Sequence, residues 1–240
     1  MLDLDNIRNV LIRLEESIIF SLVERAQFKT NDIIYKTGGI PLTGFNDSFL
    51  DYLLHGTEKL HATVRRYTSP DEHPFFNDLP EPILKPMDFG AVIHDAGING
   101  NARIKDVYIQ NIIPAICKQG DDGQYGSSAV SDVPCLQTIS KRVHYGMFVA
   151  ESKYLADREK YDNARAANDT DALYEYITDT AVEEKLLQRV ERKTATYMQE
   201  IENTSPASKI PLHVIADIYR QWIIPLTKEI EIEYLLRRTE

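Results

Sequence analysis

Residues 6–25 read NIRNVLIRLEESIIFSLVER, and within them Ile7, Val10, Leu11, Leu14, Ile18, Leu22 and Val23 recur at intervals of three and four. At 3.6 residues per turn that spacing gathers the apolar side chains into one stripe along a helix. The acids Asp3 and Asp5 just ahead of it are candidate caps. A helix of this length, amphipathic throughout, sets the fold class for the rest of the chain.

Downstream, a Gly/Pro loop, KTGGIPLTG at 36–44, precedes a second apolar stripe from Phe49 to Val64 that ends near Ser69 and Pro70. Eight prolines and glycines then crowd 70–101, which forbids long regular helix and predicts an irregular wrapped segment. Amphipathic patterns return at 104–118 around Pro114 and at 127–166, read as one long helix. A short helix is expected after Asn168, another long one over 179–202 stopped by NTSPAS at 203–208, and a last one from Pro211 with a kink at Pro225. No alternating strands and no internal repeat stand out. The expectation is an all-α, elongated multi-helix bundle without significant β-sheet, forming a single domain over 1–240.

With 43% hydrophobic and 27% charged residues the chain has the mixture of a globular protein. Its net charge of -10 argues against nucleic acid or an anionic membrane as partner, although local cations still allow an anionic small molecule. Two cysteines, Cys117 and Cys135, build neither a disulfide framework nor a zinc site. With no signal-like start and no apolar run of membrane length, a cytoplasmic protein is expected.

Five segments, taken in order, carry a resemblance: NIRNVLIRLEESIIFSLVER, VRRYTSPDEHPFF, KRVHYGMFVAESKY, TAVEEKLLQRV and IIPLTKEIEIEYLLRR. They reach both ends of the chain, and together they resemble the all-helical, allosteric chorismate mutases of fungi and plants. The resemblance implies an isomerase of phenylalanine and tyrosine biosynthesis that rearranges chorismate to prephenate with no cofactor and no metal. The reaction is a unimolecular [3,3] shift of a dianionic enol ether, so the protein must supply cations, shape and donors to the ether oxygen.

Carried over by motif, the resemblance implies that Arg8 and Arg142 grip the two carboxylates, which suits the planar, permanently charged guanidinium. Lys153 would donate to the ether oxygen and a carboxylate, and its eleven-residue distance from Arg142 spans about three helical turns. Glu231 would be the second donor to that oxygen; a carboxyl group donates only when protonated, so its pKa must be raised. Thr227, four residues earlier, would bond a carboxylate, and Glu183 would accept from the substrate hydroxyl while Glu184 points elsewhere. Asp179 stands where fungal members carry asparagine, a departure expected to retune activity rather than abolish it.

The same resemblance implies a homodimer whose effector site pairs Arg65 and Arg66 of one subunit with a turn at Gly126 and Ser127 of the other, the effector and dimerisation region lying around 45–130. Tyrosine would inhibit and tryptophan activate, although Val130 replaces a usual threonine and KIPLHV a usual threonine-proline. Two rival readings are weaker. A metal-dependent prenyl diphosphate enzyme lacks its aspartate-rich run, since Asp121 and Asp122 lead into Gly, Gln and Tyr. A catalytically altered helical scaffold has no chemical need for Arg8, Arg142, Lys153, Glu183 and Glu231 together. His94 with Asp95 reads as loop structure.

Overall fold

The computed structural model describes residues 4–90, 92–202 and 210–239; Asp3, the Asp5 side chain and the 203–208 stop signal lie outside the described residues. Helix α1 (Leu4–Arg25) buries the stripe read from its sequence: Ile18, Ile19 and Leu22 are wholly inaccessible. Each such side chain contributes on the order of 1.5–3 kcal/mol through burial. α2 (Phe49–Thr63) is capped by Ser48, whose hydroxyl accepts from Asp51 N–H. No strand occurs among the described residues beyond one isolated bridge between Leu42 and Phe45.

Among the described residues from 69 to 100 the backbone has no helix, as the proline and glycine density predicts. It is held by specific bonds instead. Buried Glu58 accepts the N–H groups of Phe75 and Phe76 at 2.9–3.2 Å, Asn101 donates to His73 O, and Ile83 N–H reaches Thr63 O.

The expected single helix over 127–166 is three helices: α5 (Tyr125–His144), α6 (Gly146–Ala156) and α7 (Arg158–Ala166). The first break is at Tyr145. The second is at Asp157, whose carboxylate caps α7 by accepting from Lys160 N–H, so an acid in an otherwise helical sequence acts as a start signal. Gly146 opens α6, and a Cβ there would meet Thr227 Cγ2 and O at 3.0 Å and Glu231 Cγ at 3.1 Å. Only glycine lets α6 lie this close to the last helix.

Pro114 and Pro225 each follow a π-helical turn. α3 (Asn101–Val107) passes through a π turn at Tyr108–Ile112 into α4 (Ile113–Ile116), and α10 (Leu212–Ile218) passes through Tyr219–Ile223 into α11 (Ile224–Arg237). The widened turn accommodates a ring that clashes with the preceding carbonyls and lacks an N–H. The two passages share the pattern Tyr-x-Gln-x-Ile-Ile-Pro, at 108–114 and 219–225, a short repeat too brief to stand out in the sequence. α8 (Thr170–Ile177) and α9 (Thr180–Glu202) complete the bundle.

Where α1 crosses α5, Arg25 and Asp132 form a fully buried ion pair at 2.6 Å. Asp132 also accepts from Tyr35 and Tyr108, and Arg25 donates to Lys29 O and Thr30 O. Burial raises the Asp132 pKa, opposed by the guanidinium and these donors. Because every polar group is satisfied, the pair fixes the register of the crossing rather than merely adding attraction. Asp132→Ala strands a buried charge and should lower unfolding free energy by about 3–5 kcal/mol. A urea titration checks it; a loss below about 1 kcal/mol, the level of an exposed pair, would contradict the role given to this contact.

Candidate active site

Five helices and one inter-helix joint line a cavity of about 240 Å³. α1 contributes Arg8, Leu11, Ile12 and Glu15; α5 and α6 contribute Arg142, Val149 and Lys153; the α8–α9 joint adds Ile177 and Asp179. α9 presents Val182, Glu183, Lys185, Leu186 and Arg189, and α11 presents Ile224, Thr227, Lys228 and Glu231. Six cations and four acids therefore line one small space in a chain whose total charge is -10.

Arg142 is buried, with Nη1 3.3 Å from Thr227 Oγ1, and its Nε has no hydrogen-bond partner among the described residues. Glu231 is buried beside it, and its Oε2 likewise has no hydrogen-bond partner among the described residues. Lys153 Nζ stands 3.6 Å from that oxygen, an ion pair too long for a hydrogen bond, while donating to Ile177 O. Buried polar atoms are seldom left unsatisfied, so an orphaned donor and an orphaned acceptor lining one cavity mark a place built for a ligand. Burial drives the Glu231 pKa up to about 7 against the lowering pull of Lys153 and Arg142.

Gly146 permits this arrangement, since α6 and α11 touch at Thr227 and Glu231 themselves. α11 is further clamped beyond the site: Arg238 and Tyr234 each donate to Glu151 Oε2 at 2.7 Å, and Arg165 Nε donates to Leu235 O at 2.6 Å. Two of the cavity's other acids are each neutralised by a named cation. Fully buried Glu15 is gripped by both ends of Arg189 at 2.6 and 2.7 Å, and Glu183 pairs with Lys228 at 2.7 Å.

The structure brings together all seven residues expected at the substrate site: Arg8, Arg142, Lys153, Asp179, Glu183, Thr227 and Glu231. Arg8 does so from the exposed side of α1. Arg142 and Lys153 face the cavity from two helices rather than one. Asp179 is not on a helical face at all: it precedes α9 and caps it, Oδ1 accepting from Val182 N–H at 3.0 Å. Asparagine and aspartate cap about equally well, which accounts for either residue at this position. The Thr227 hydroxyl bonds Ile223 O at 2.7 Å, so binding a carboxylate requires it to rotate. Glu184 stays outside, near Gln188.

Sequence reasoning missed Glu15, Lys185, Arg189 and Lys228. The only available signal was spacing: Lys228 sits three residues before Glu231, and Glu183, Leu186 and Arg189 repeat at three-residue steps along α9.

Arg65 and Arg66 line a separate cleft with Ser69, Glu72, Met87 and Lys141. Arg66 is engaged by Glu72 and Gln137, each at 3.0 Å, and Arg65 has a left-handed backbone with φ 70° and bonds Lys85 O. Gly126 and Ser127 are exposed in the first turn of α5 and do not line that cleft within one chain. His94 and Asp95 serve the loop, through His94 N–H on Tyr234 and Asp95 on Gly97 N–H.

Residues 125–232 match the chorismate mutase type II family. The chain is 50% identical to chloroplastic chorismate mutase 1 of Petunia hybrida over 246 residues, covering 99% of this chain and 76% of that one. Its fold matches the AtCM1 crystal structure with tyrosine bound in the allosteric site, with TM-score 0.89 and 49% identity over 98% of this chain and 96% of the other. It also matches Aro7p chorismate mutase from Candida albicans in complex with L-Trp, with TM-score 0.92 and 40% identity over 99% and 92%. An all-helical bundle with a cation-lined cavity, near-complete alignment and identities of 40–50% lead to one conclusion: this chain belongs to the chorismate mutase family, isomerases that convert chorismate to prephenate.

Proposed function

We propose that the cavity between α1, α5, α6, α9 and α11 is where chorismate rearranges, with Arg8 and Arg142 holding its carboxylates and Lys153 and Glu231 donating to the ether oxygen. The observation that carries this reading is the pair of orphaned buried atoms, Arg142 Nε and Glu231 Oε2, beside Lys153. As the C–O bond breaks and the new C–C bond forms, negative charge grows on the ether oxygen. Lys153 has three hydrogens and spends one on Ile177 O, leaving donors for that charge. Glu183 accepts from the substrate hydroxyl, Thr227 bonds a carboxylate after rotating, and Asp179 holds the start of α9. No proton is abstracted, so the site needs neither nucleophile nor base; positioning and charge stabilisation are the whole of the chemistry.

Lys153→Ala and Arg142→Ala should each lower kcat/KM by roughly 10²–10³-fold, as for loss of a donor to developing charge. Chorismate disappearance measured on folded variants tests this; near-normal turnover in both removes the assignment.

The pH dependence has a fixed sign. Glu231 donates only while protonated, and its pKa is about 7, so kcat/KM should fall as pH rises through about 7. Glu231→Gln donates at every pH and should flatten that alkaline limb. An unchanged limb in the variant would take Glu231 out of the reaction.

We further propose a homodimer with regulation by amino acids, tyrosine inhibiting and tryptophan activating, built from the region around 45–130. Support comes from relatives whose structures carry tyrosine or L-Trp, and from apolar side chains left exposed here: Leu60, Val64, Ile83, Leu84, Met87 and Val130. Leu60 and Val64 share a helix face, and Ile83 is bonded to Thr63 beside them. In a dimer Arg65 and Arg66 would meet Gly126 and Ser127 of the other copy. Light scattering should give twice the chain mass, and Arg65→Ala with Arg66→Ala should erase the kinetic response to both amino acids. Hyperbolic kinetics indifferent to either amino acid in the unaltered protein would refute the regulatory reading.

No helix among the described residues is long and apolar enough to cross a membrane. The free, buried Cys117 and Cys135 support a reducing, cytoplasmic location.

A further inference from the structure

Lys228 is buried on α11 between Thr227 and Glu231, and the rearrangement as described gives it no bond to act on. Its ammonium is 2.7 Å from Glu183 Oε1 and lies 4.7 Å from the ring centre of Tyr174 on α8, whose hydroxyl is 3.4 Å away. Burial disfavours the charged lysine, yet the Glu183 carboxylate overrides it and the pKa is raised, so the cation persists at any working pH. No described residue bonds Glu183 Oε2, although Glu183 lines the cavity.

We propose that Lys228 is a positioning residue: it fixes Glu183 as a carboxylate through Oε1, so that Oε2 accepts the substrate hydroxyl and selects hydroxylated over deoxy dicarboxylates. The proposal rests on the role given to Glu183 above. Glu183 lines a cavity that also holds Asp179 and Glu231, and without a counter-charge it would sit among acids and beside a dianion. Lys228 removes that repulsion and immobilises one oxygen, which leaves the other with a defined direction. Because Lys228 and Glu231 are three residues apart on one helix, about 4.5 Å along its axis, α11 sets the hydroxyl end and the ether end of the substrate in a single register. Tyr174 closes the outer side of the ammonium, tying α8 into the same arrangement.

The test uses the full chain and two bicyclic dicarboxylate mimics of the transition state, one bearing the hydroxyl and one lacking it, with inhibition constants measured for each variant. The unaltered protein should prefer the hydroxylated mimic by roughly ten- to hundredfold, the range for a hydrogen bond to a charged group. Lys228→Met should reduce that preference to within about threefold, and Lys228→Arg should keep most of it. Lys228→Met combined with Glu183→Gln should be no weaker than either alone, because both remove one unit. If Lys228→Met weakens both mimics equally and leaves the preference intact, the ammonium touches a carboxylate or is merely structural, and the proposal is wrong. If Glu183→Gln keeps the preference, the role of Glu183 has failed and the proposal falls with it; preference lost in Glu183→Gln but kept in Lys228→Met overturns the proposal alone. Should Lys228→Met not fold, Lys228→Gln, one bond shorter than lysine, keeps a donor without the charge, and the same comparisons decide.

Discussion

The contact between α6 and α11 at Gly146 is the constraint on which the site depends. With no Cβ at 146, the Thr227 backbone and the Glu231 stem approach to what would be 3.0–3.1 Å from that carbon. This closeness takes Glu231 out of water and places it under Lys153 and Arg142. Because burial is what raises the Glu231 pKa, a wider spacing that let water in would lower it. The clamp of Glu151, Arg238, Tyr234 and Arg165 holds α11 against this contact from its far end, so the approach does not rely on packing at the glycine alone.

A second constraint is how charge is apportioned in the cavity. Glu15 is satisfied by Arg189, Glu183 by Lys228, and Asp179 by the backbone at the start of α9. Glu231 has only the 3.6 Å ion pair to Lys153, too long for a hydrogen bond, so burial outweighs pairing in setting its proton affinity. The pairing elsewhere also prevents the acids from collapsing onto Arg142, whose Nε keeps its donor. A strongly acidic protein thus maintains a locally cationic space by committing each acid to a different partner.

The periodic helices were legible because their signal is local. The stripes of α1 and α9 follow from 3.6-residue spacing, and proline and glycine density marked 69–100 as irregular. What was misread depended on contacts distant in sequence. The close approach of α6 to α11 rests on Gly146 meeting residues more than eighty positions away, and nothing in HYG announces that. Asp157 and Asp179 are caps whose short side chains fold back on the next turn, a role the apolar pattern does not reveal. The motif residues of the cavity were identified by resemblance, whereas Lys228 and Arg189 owe their place to partners on other helices. Their charge alone made them look like surface residues.

α5 joins the two charged regions of the molecule. Gln137 and Lys141 reach outward to Arg66 and Glu72, at 3.0 and 2.7 Å, while Arg142, the next residue along, reaches inward to Thr227. A ligand that re-seats Arg66 or Glu72 must either break these bonds or move α5 with them. Where the bonds hold, the displacement is passed to α5 as a slide of the helix. The buried Arg25–Asp132 pair limits that slide by holding α5 to α1, which carries Arg8. Motion of α5 therefore changes the separation of Arg142 from Thr227 and Glu231 more than its separation from α1. What such a ligand would alter is the contact between Arg142 and Thr227, not the presence of the cavity.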